Sequence, residues 1–195
     1  PVNVLIPVWS WDGKTMAITR SGDDQKGELL LVNARTGAKV VIAPPVKDGI
    51  LWPVAFSPDG QTLLLIARND AGFDQLAVLK LADAALPGQA PNAAGPPTFF
   101  GPGDWDVTEA HWTSDGIYFV RNEGGATSLG FVRSPQAHPE TVLPAAGVVR
   151  EISLDRAGKK LALLREDVAR PADVWIMDNH PRHGLPPQMA AHTPR

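Results

Sequence analysis

A corner ending in glycine recurs four times along this chain and limits the folds open to it. The four stretches are Pro7-Val-Trp-Ser-Trp-Asp-Gly-Lys14, Pro53-Val-Ala-Phe-Ser-Pro-Asp-Gly-Gln61, Glu109-Ala-His-Trp-Thr-Ser-Asp-Gly-Ile117 and Glu151-Ile-Ser-Leu-Asp-Arg-Ala-Gly-Lys159. Each runs from an apolar approach through an aromatic or aliphatic residue to a turn glycine, Gly13, Gly60, Gly116 or Gly158, and on into an apolar strand. Asp-Gly tolerates the positive φ that tight hairpin turns need. A pattern repeated every ~45 residues belongs to architectures whose units hide their faces only against neighbours.

The corners predict hairpins. Trp9, Phe56, Trp112 and Leu154 stand at equivalent positions before them and are expected to point into the packing between units. The strands after the corners are expected at Thr15–Arg20, Thr62–Arg68, Ile117–Arg121 and Lys160–Arg165, each ending in Arg where the chain leaves the core. Third strands follow at Glu28–Asn33, Gln75–Leu81, Ser128–Arg133 and Asp173–Asp178. In the first unit Thr36-Gly37 turns into a fourth strand, Ala38–Ala43. Four strands per ~45 residues is the arrangement of a propeller blade. The fold class read from the chain is therefore all-β, a β-propeller fragment of about four four-stranded blades. It forms a single partial domain over 1–195, with blades near 1–45, 46–100, 101–145 and 146–195.

Composition agrees with many short strands. Gly (18) and Pro (19) are spread between apolar runs instead of being gathered in one linker. The only helix signal is Leu81–Leu86, one turn before Pro87, and Pro87–Pro97 reads as an inter-strand or inter-blade excursion. Its alternatives are a solvated surface loop and a substrate-facing loop.

Charge narrows the partners. The net charge is -3 and Lys and Arg are scattered, so no nucleic acid is expected. No apolar run nears the ~20 residues that span a bilayer, so no membrane partner is expected either. Zero cysteines remove disulfides, thiol catalysis and Cys-ligated zinc, and leave the compartment open between periplasm or secretion and cytoplasm. With no starting Met, the chain reads as a processed or trimmed piece.

Phe56-Ser-Pro-Asp-Gly-Gln and Trp112-Thr-Ser-Asp-Gly-Ile-Tyr-Phe-Val resemble the WD40-like repeats of TolB and of the prolyl oligopeptidase family. The run from Ser153 to Asp178, with Arg170-Pro-Ala-Asp-Val-Trp175, resembles the last propeller segment of acylaminoacyl-peptidase and dipeptidyl-peptidase-like enzymes. Gln188–Arg195 resembles a worn form of the segment leading toward their hydrolase domain. The resemblance implies a propeller set over an α/β-hydrolase domain, admitting peptide substrates and shaping the active-site cavity. No Gly-x-Ser-x-Gly occurs, and the Glu pair that holds a substrate amino terminus in dipeptidyl peptidases is not recognisable.

No catalytic set stands out. Ser128, in Ala126-Thr-Ser-Leu-Gly130, lies at the start of an expected strand after the Gly124-Gly125 turn, not at a strained strand-to-helix elbow. His180, His183 and His192 share a proline-broken tail, His111 alternates with Trp112 in a strand, and His138 precedes Pro139 in a turn. Asp23-Asp24 and Asp104-x-Asp106 read as loop and capping carboxylates, and Gly101-x-Gly103 as a loop. Cofactors and metals are expected to be none. Trp11, Trp52 and Trp105 either pack between blades or bind a ligand, Trp52 and Trp105 standing just before the innermost strands of their units. Arg20, Arg68, Arg121 and Arg165 recur at one blade position and either solvate strand ends or attract carboxylates. The candidate substrate- or partner-binding residues are Trp52, Trp105, Arg68, Arg121 and Arg165. The expected partners are a hydrolase domain of the parent chain or a second copy completing the ring, together with a peptide substrate. A stand-alone TolB- or WD40-like interaction module is the alternative, and a lone four-bladed closure remains open.

Overall fold

The computed structural model describes residues 3–4, 7–21, 27–42, 49–83, 88–101, 103–155, 159–178 and 189–191. These form four antiparallel sheets, each a meander of consecutive strands. In the first sheet, Asn3–Val4 and Val8–Trp9 both pair with Thr15–Ser21, followed by Gly27–Asn33 and Lys39–Ile42. The second contains Leu51–Phe56, Thr62–Arg68, Asp74–Ala82 and an interrupted outer strand, Asn92–Ala93 and Thr98–Phe100. The third runs Val107–Trp112, Ile117–Glu123, Ala126–Val132, Glu140–Leu143. The fourth runs Val148–Leu154, Lys160–Asp167, Arg170–Asp178, Met189–Ala191. This all-β repeat is the expected propeller-blade architecture. The strands after the corners outrun the expected Arg ends in three sheets, reaching Ser21, Glu123 and Asp167. Leu81 and Ala82 are strand rather than helical turn.

Three corners close alike. Ser10 and Thr15, Ser57 and Thr62, and Asp155 and Lys160 join across four intervening residues through N–H···O bonds of 2.9, 2.8 and 3.0 Å. In the first two, the Ser hydroxyl donates to Asp12 or Asp59 and accepts the amide of Thr15 or Thr62. The Asp in turn accepts the amide of Lys14 or Gln61. The Lys14 amide, then the Ser10 hydroxyl, lowers the Asp12 carboxyl to about 2; at Asp59 the Ser57 hydroxyl leads and the Gln61 amide follows. In the fourth corner Asp155 takes over the serine's place and accepts the amides of Lys159 and Lys160. Gly158 lies outside the described residues.

The third corner differs from the expectation. Thr113 closes directly onto Gly116, 2.8 Å, across only two residues. Gly116 therefore stands where Thr15, Thr62 and Lys160 stand, not where Gly13 and Gly60 stand. The sequence pattern aligned Asp-Gly with Asp-Gly, but the backbone closes two residues sooner.

The chain divides into two compact units, Pro1–Asp104 and Trp105–Arg195. In the first, Ala17, Leu29, Leu31 and Ile42 of one sheet pack against Leu51, Phe56, Leu63, Leu65 and Ala77 of the next. In the second, Tyr118, Val120, Leu129, Phe131 and Leu143 meet Val149, Ile152, Leu161, Leu163 and Met177. Period-2 alternation puts these side chains on one face of each sheet, and their removal from water is the main favourable term.

Phe56 and Leu154 fulfil the expected packing role, being fully buried and packed against the core respectively, while Trp112 is half-buried. Trp9 does not: it is 53% exposed. Val8 lies opposite Ala17 and packs on the core, whereas Trp9, opposite Met16, faces away from the second sheet. Identical repeat positions are buried only where a sheet lies against that face.

The excursion before Thr98 joins the two sheets of the first unit. Asn92 and Ala93 pair with Ala82 and Leu81, Ala90 is buried in the core, and Asn33 Nδ2 donates to Gln89 O at 3.0 Å. Thr36 Oγ1 donates to Gly88 O.

Tyr118, the only tyrosine, is buried 4.8 Å from the Phe131 ring, and desolvation followed by the Asp115 charge pushes its phenol up to about 12. A raised acid pKa stabilises the fold fully below the unfolded value near 10 and ceases to do so as pH rises through about 12. Alkaline titration of absorbance at 295 nm is therefore expected to show no phenolate near pH 10 while the protein stays folded. A phenolate midpoint near 10 with circular dichroism unchanged would contradict this burial.

Candidate functional site

Arg20, Arg121 and Arg165 share one register position, opposite Val4, Val107 and Val149 of the preceding strands. In the second sheet Ala67 takes that position opposite Leu51, and Arg68, expected there from the repeat, lies one residue further on. Arg20 lies opposite Glu28, Arg68 opposite Asp74, Arg121 opposite Ser128 and Arg165 opposite Asp173. In the first two sheets the facing carboxylate takes the guanidinium: Arg20 pairs with Glu28, and Arg68 Nε lies 3.1 Å from Asp74 Oδ1. In the third the facing residue is Ser128, and the carboxylate comes from Glu123 on the same strand as Arg121, 2.8 Å from Nε. Ser128 Oγ donates to Glu123 Oε1 at 2.5 Å, and this bond, then Arg121, lowers the Glu123 carboxyl. Ser128 is the third residue of its strand, after the Gly124-Gly125 turn with φ of 63° and 101°. Its hydroxyl is committed to this clamp.

Arg165 differs. Its Nη2 donates to Ala146 O at 3.2 Å, and its guanidinium carbon lies 5.9 Å from the centre of the Trp175 ring. Arg170 lies 6.0 Å from the same ring. A register shift between Arg165 and Asp167 brings the two arginines, five residues apart, to one indole. Together with Glu166, Asp167, Pro171, Ala172 and Asp173 they line a cavity of about 360 Å³, within the range of small-ligand sites. Arg165 is a candidate contact from the sequence, but Arg170 and Trp175 are not, since nothing in their spacing announces the bulge.

The tryptophans lie apart from this cavity. Trp52 is the second residue of Leu51–Phe56 and not, as expected, ahead of that strand; it is 40% exposed, while Trp105, 42% exposed, precedes Val107–Trp112. Trp11, 72% exposed, donates its Nε1–H to Phe56 O at 3.1 Å, tying the first corner to the second sheet. His111 Nε2 lies 2.9 Å from Glu109 Oε1, and that carboxylate also accepts the Ile152 amide, joining the third sheet to the fourth. Asp106 contributes a backbone carbonyl to Asn122 N, and His138 is exposed after the Ser134–Ala137 turn. Among the described residues no group of three or more His, Asp or Glu is placed to hold a metal ion, and no helix is long and apolar enough to cross a membrane. Asp23, Asp24, His180, His183 and His192 lie outside the described residues.

Repeated four-stranded antiparallel meanders packed face on face define β-propeller blades, and solved structures with this architecture are similar to the chain. TolB from Acinetobacter baumannii matches with a TM-score of 0.64 and 21% identity, covering 98% of this chain and 44% of that one. A putative dipeptidyl aminopeptidase IV from Bacteroides ovatus matches at 0.61 and 17%, covering 91% and 28%. A chain from a structural study of two prolyl endopeptidases matches at 0.63 and 14%, covering 89% and 25%. The chain thus spans less than half the length of each of these structures. No family model matches the sequence, and no curated protein matches it.

Proposed function

We propose that this chain is the non-catalytic propeller portion of a prolyl-oligopeptidase-type serine peptidase, with the hydrolase domain elsewhere in the parent protein. The observation that carries the reading is the asymmetry of coverage. Nearly all of this chain aligns with about a quarter of two peptidase structures, and the Arg170–Trp175 segment resembles the end of such propellers. On this reading the four sheets belong to one partial propeller domain that gates peptide access, completed by further parent sequence or by a second copy. Trp52, Trp105, Arg68, Arg121 and Arg165 are its candidate contact residues.

A fluorophosphonate probe, which labels activated serines, is expected to label the full-length parent protein and not this 195-residue chain. An unlabelled parent overturns the peptidase reading. The second reading, a stand-alone TolB-like protein-binding module, is favoured by the alignment of 98% of the chain with TolB. It requires a specific protein partner captured by an unlabelled parent.

A further inference from the structure

We infer that the cavity around Arg165, Arg170 and Trp175 is a binding site for a peptide carboxylate. Three sheets show what their recurrent arginine holds. Arg20, Arg68 and Arg121 each carry a carboxylate supplied by the chain itself. At the fourth, neither Arg165 nor Arg170 forms an ion pair with a carboxylate among the described residues; both guanidiniums instead approach one indole. The neighbouring acids are engaged elsewhere. Glu166 accepts Arg150 Nη2 at 2.5 Å, Asp167 Oδ1 accepts the Ala169 amide at 2.9 Å, and Asp173 Oδ1 accepts the Val174 amide at 2.8 Å.

The lining selects the ligand. A planar carboxylate matches the forked N–H groups of a guanidinium, and the Trp175 ring offers an apolar wall for the side chain beside it. Glu166 is paired with Arg150, and Asp167 and Asp173 offset the two guanidiniums. A dianion such as phosphate therefore meets repulsion that the single charge of a guanidinium-held carboxylate meets to half the degree. Arg165 is tethered to Ala146 O, which limits its motion, and Arg170 sits at the start of its strand. The inference concerns these residues and rests on the reading that the chain recognises peptides, whichever parent carries it.

Calorimetric titration of the full-length protein with N-acetyl-Ala-Ala-Phe and with its C-terminal amide tests it. The free acid is expected to bind at least tenfold tighter than the amide, and Arg170→Gln and Arg165→Gln each to weaken it at least fivefold. Arg170→Gln should leave the thermal midpoint unchanged, since the residue is exposed. N-acetyl-Ala-Glu-Ala-amide, whose carboxylate is a side chain, identifies the source: tighter binding of either peptide that is lost in Arg170→Gln supports the site. Failure of both carboxylate peptides to bind tighter than the C-terminal amide of N-acetyl-Ala-Ala-Phe, undiminished affinity in Arg170→Gln, tighter binding of inorganic phosphate, or no heat at millimolar peptide would each overturn it. Carboxylate binding retained in an unlabelled parent protein would remove the peptidase reading and leave the site standing.

Discussion

Phe56→Ala is expected to destabilise the protein by about 3–5 kcal/mol, while Trp9→Ala at the equivalent repeat position changes stability by less than about 1 kcal/mol. Phe56 is 2% exposed and fills the space between the first two sheets together with Leu63, Leu51 and Ala17. Deleting its ring removes the transfer term and leaves a cavity that two hydrogen-bonded sheets cannot collapse to fill. Against a typical domain stability of about 5–15 kcal/mol that is a large share. Trp9, 53% exposed and facing away from the second sheet, has less to lose. Urea unfolding followed by circular dichroism separates the two, and similar losses in both variants would mean that Trp9 is covered in solution.

Replacement of Gly116 by Ala is expected to cost about 3 kcal/mol, against about 1–2 kcal/mol for Gly60→Ala. The two glycines look interchangeable in the repeat, but their surroundings differ. Gly60 has φ of 71° and open space where a Cβ would stand, so only the left-handed backbone opposes the change. Gly116 has φ of 152°, and a Cβ there would lie 2.5 Å from Val132 O and 2.6 Å from Phe131 Cζ. Neither neighbour yields easily: Val132 is fully buried in a central strand, and Phe131 is wedged against Tyr118. The comparison is made by denaturant midpoints at constant m. Equal costs at the two corners would show that the third one is as open as the second.

The sequence was most legible where structure is local. A Ser or Asp hydroxyl or carboxylate that captures amides within five residues makes its own turn, so the corners and the strands beside them follow from short-range chemistry. Thr62–Arg68 appears with the expected bounds, and most other strands shift by one or two residues. The architecture followed because such meanders leave apolar faces that only another meander can cover.

The candidate site was only partly legible. Arg165 was visible as a repeat position, but its departure from Arg20, Arg68 and Arg121 depends on a register shift and on where Ala146 and Trp175 come to lie. Likewise, nothing in the run before Thr98 shows that Gln89 and Gly88 reach Asn33 and Thr36 more than fifty residues back.

By itself, then, the chain's order of residues determined the corners, the alternation and hence the stacked antiparallel sheets. Tertiary structure alone decided which equivalent aromatic is buried, which corner glycine resists a side chain and which recurrent arginine pairs with no carboxylate among the described residues. The physical reason is range: turn hydrogen bonds close within a few residues, whereas burial and charge pairing depend on surfaces brought together from distant parts of the chain.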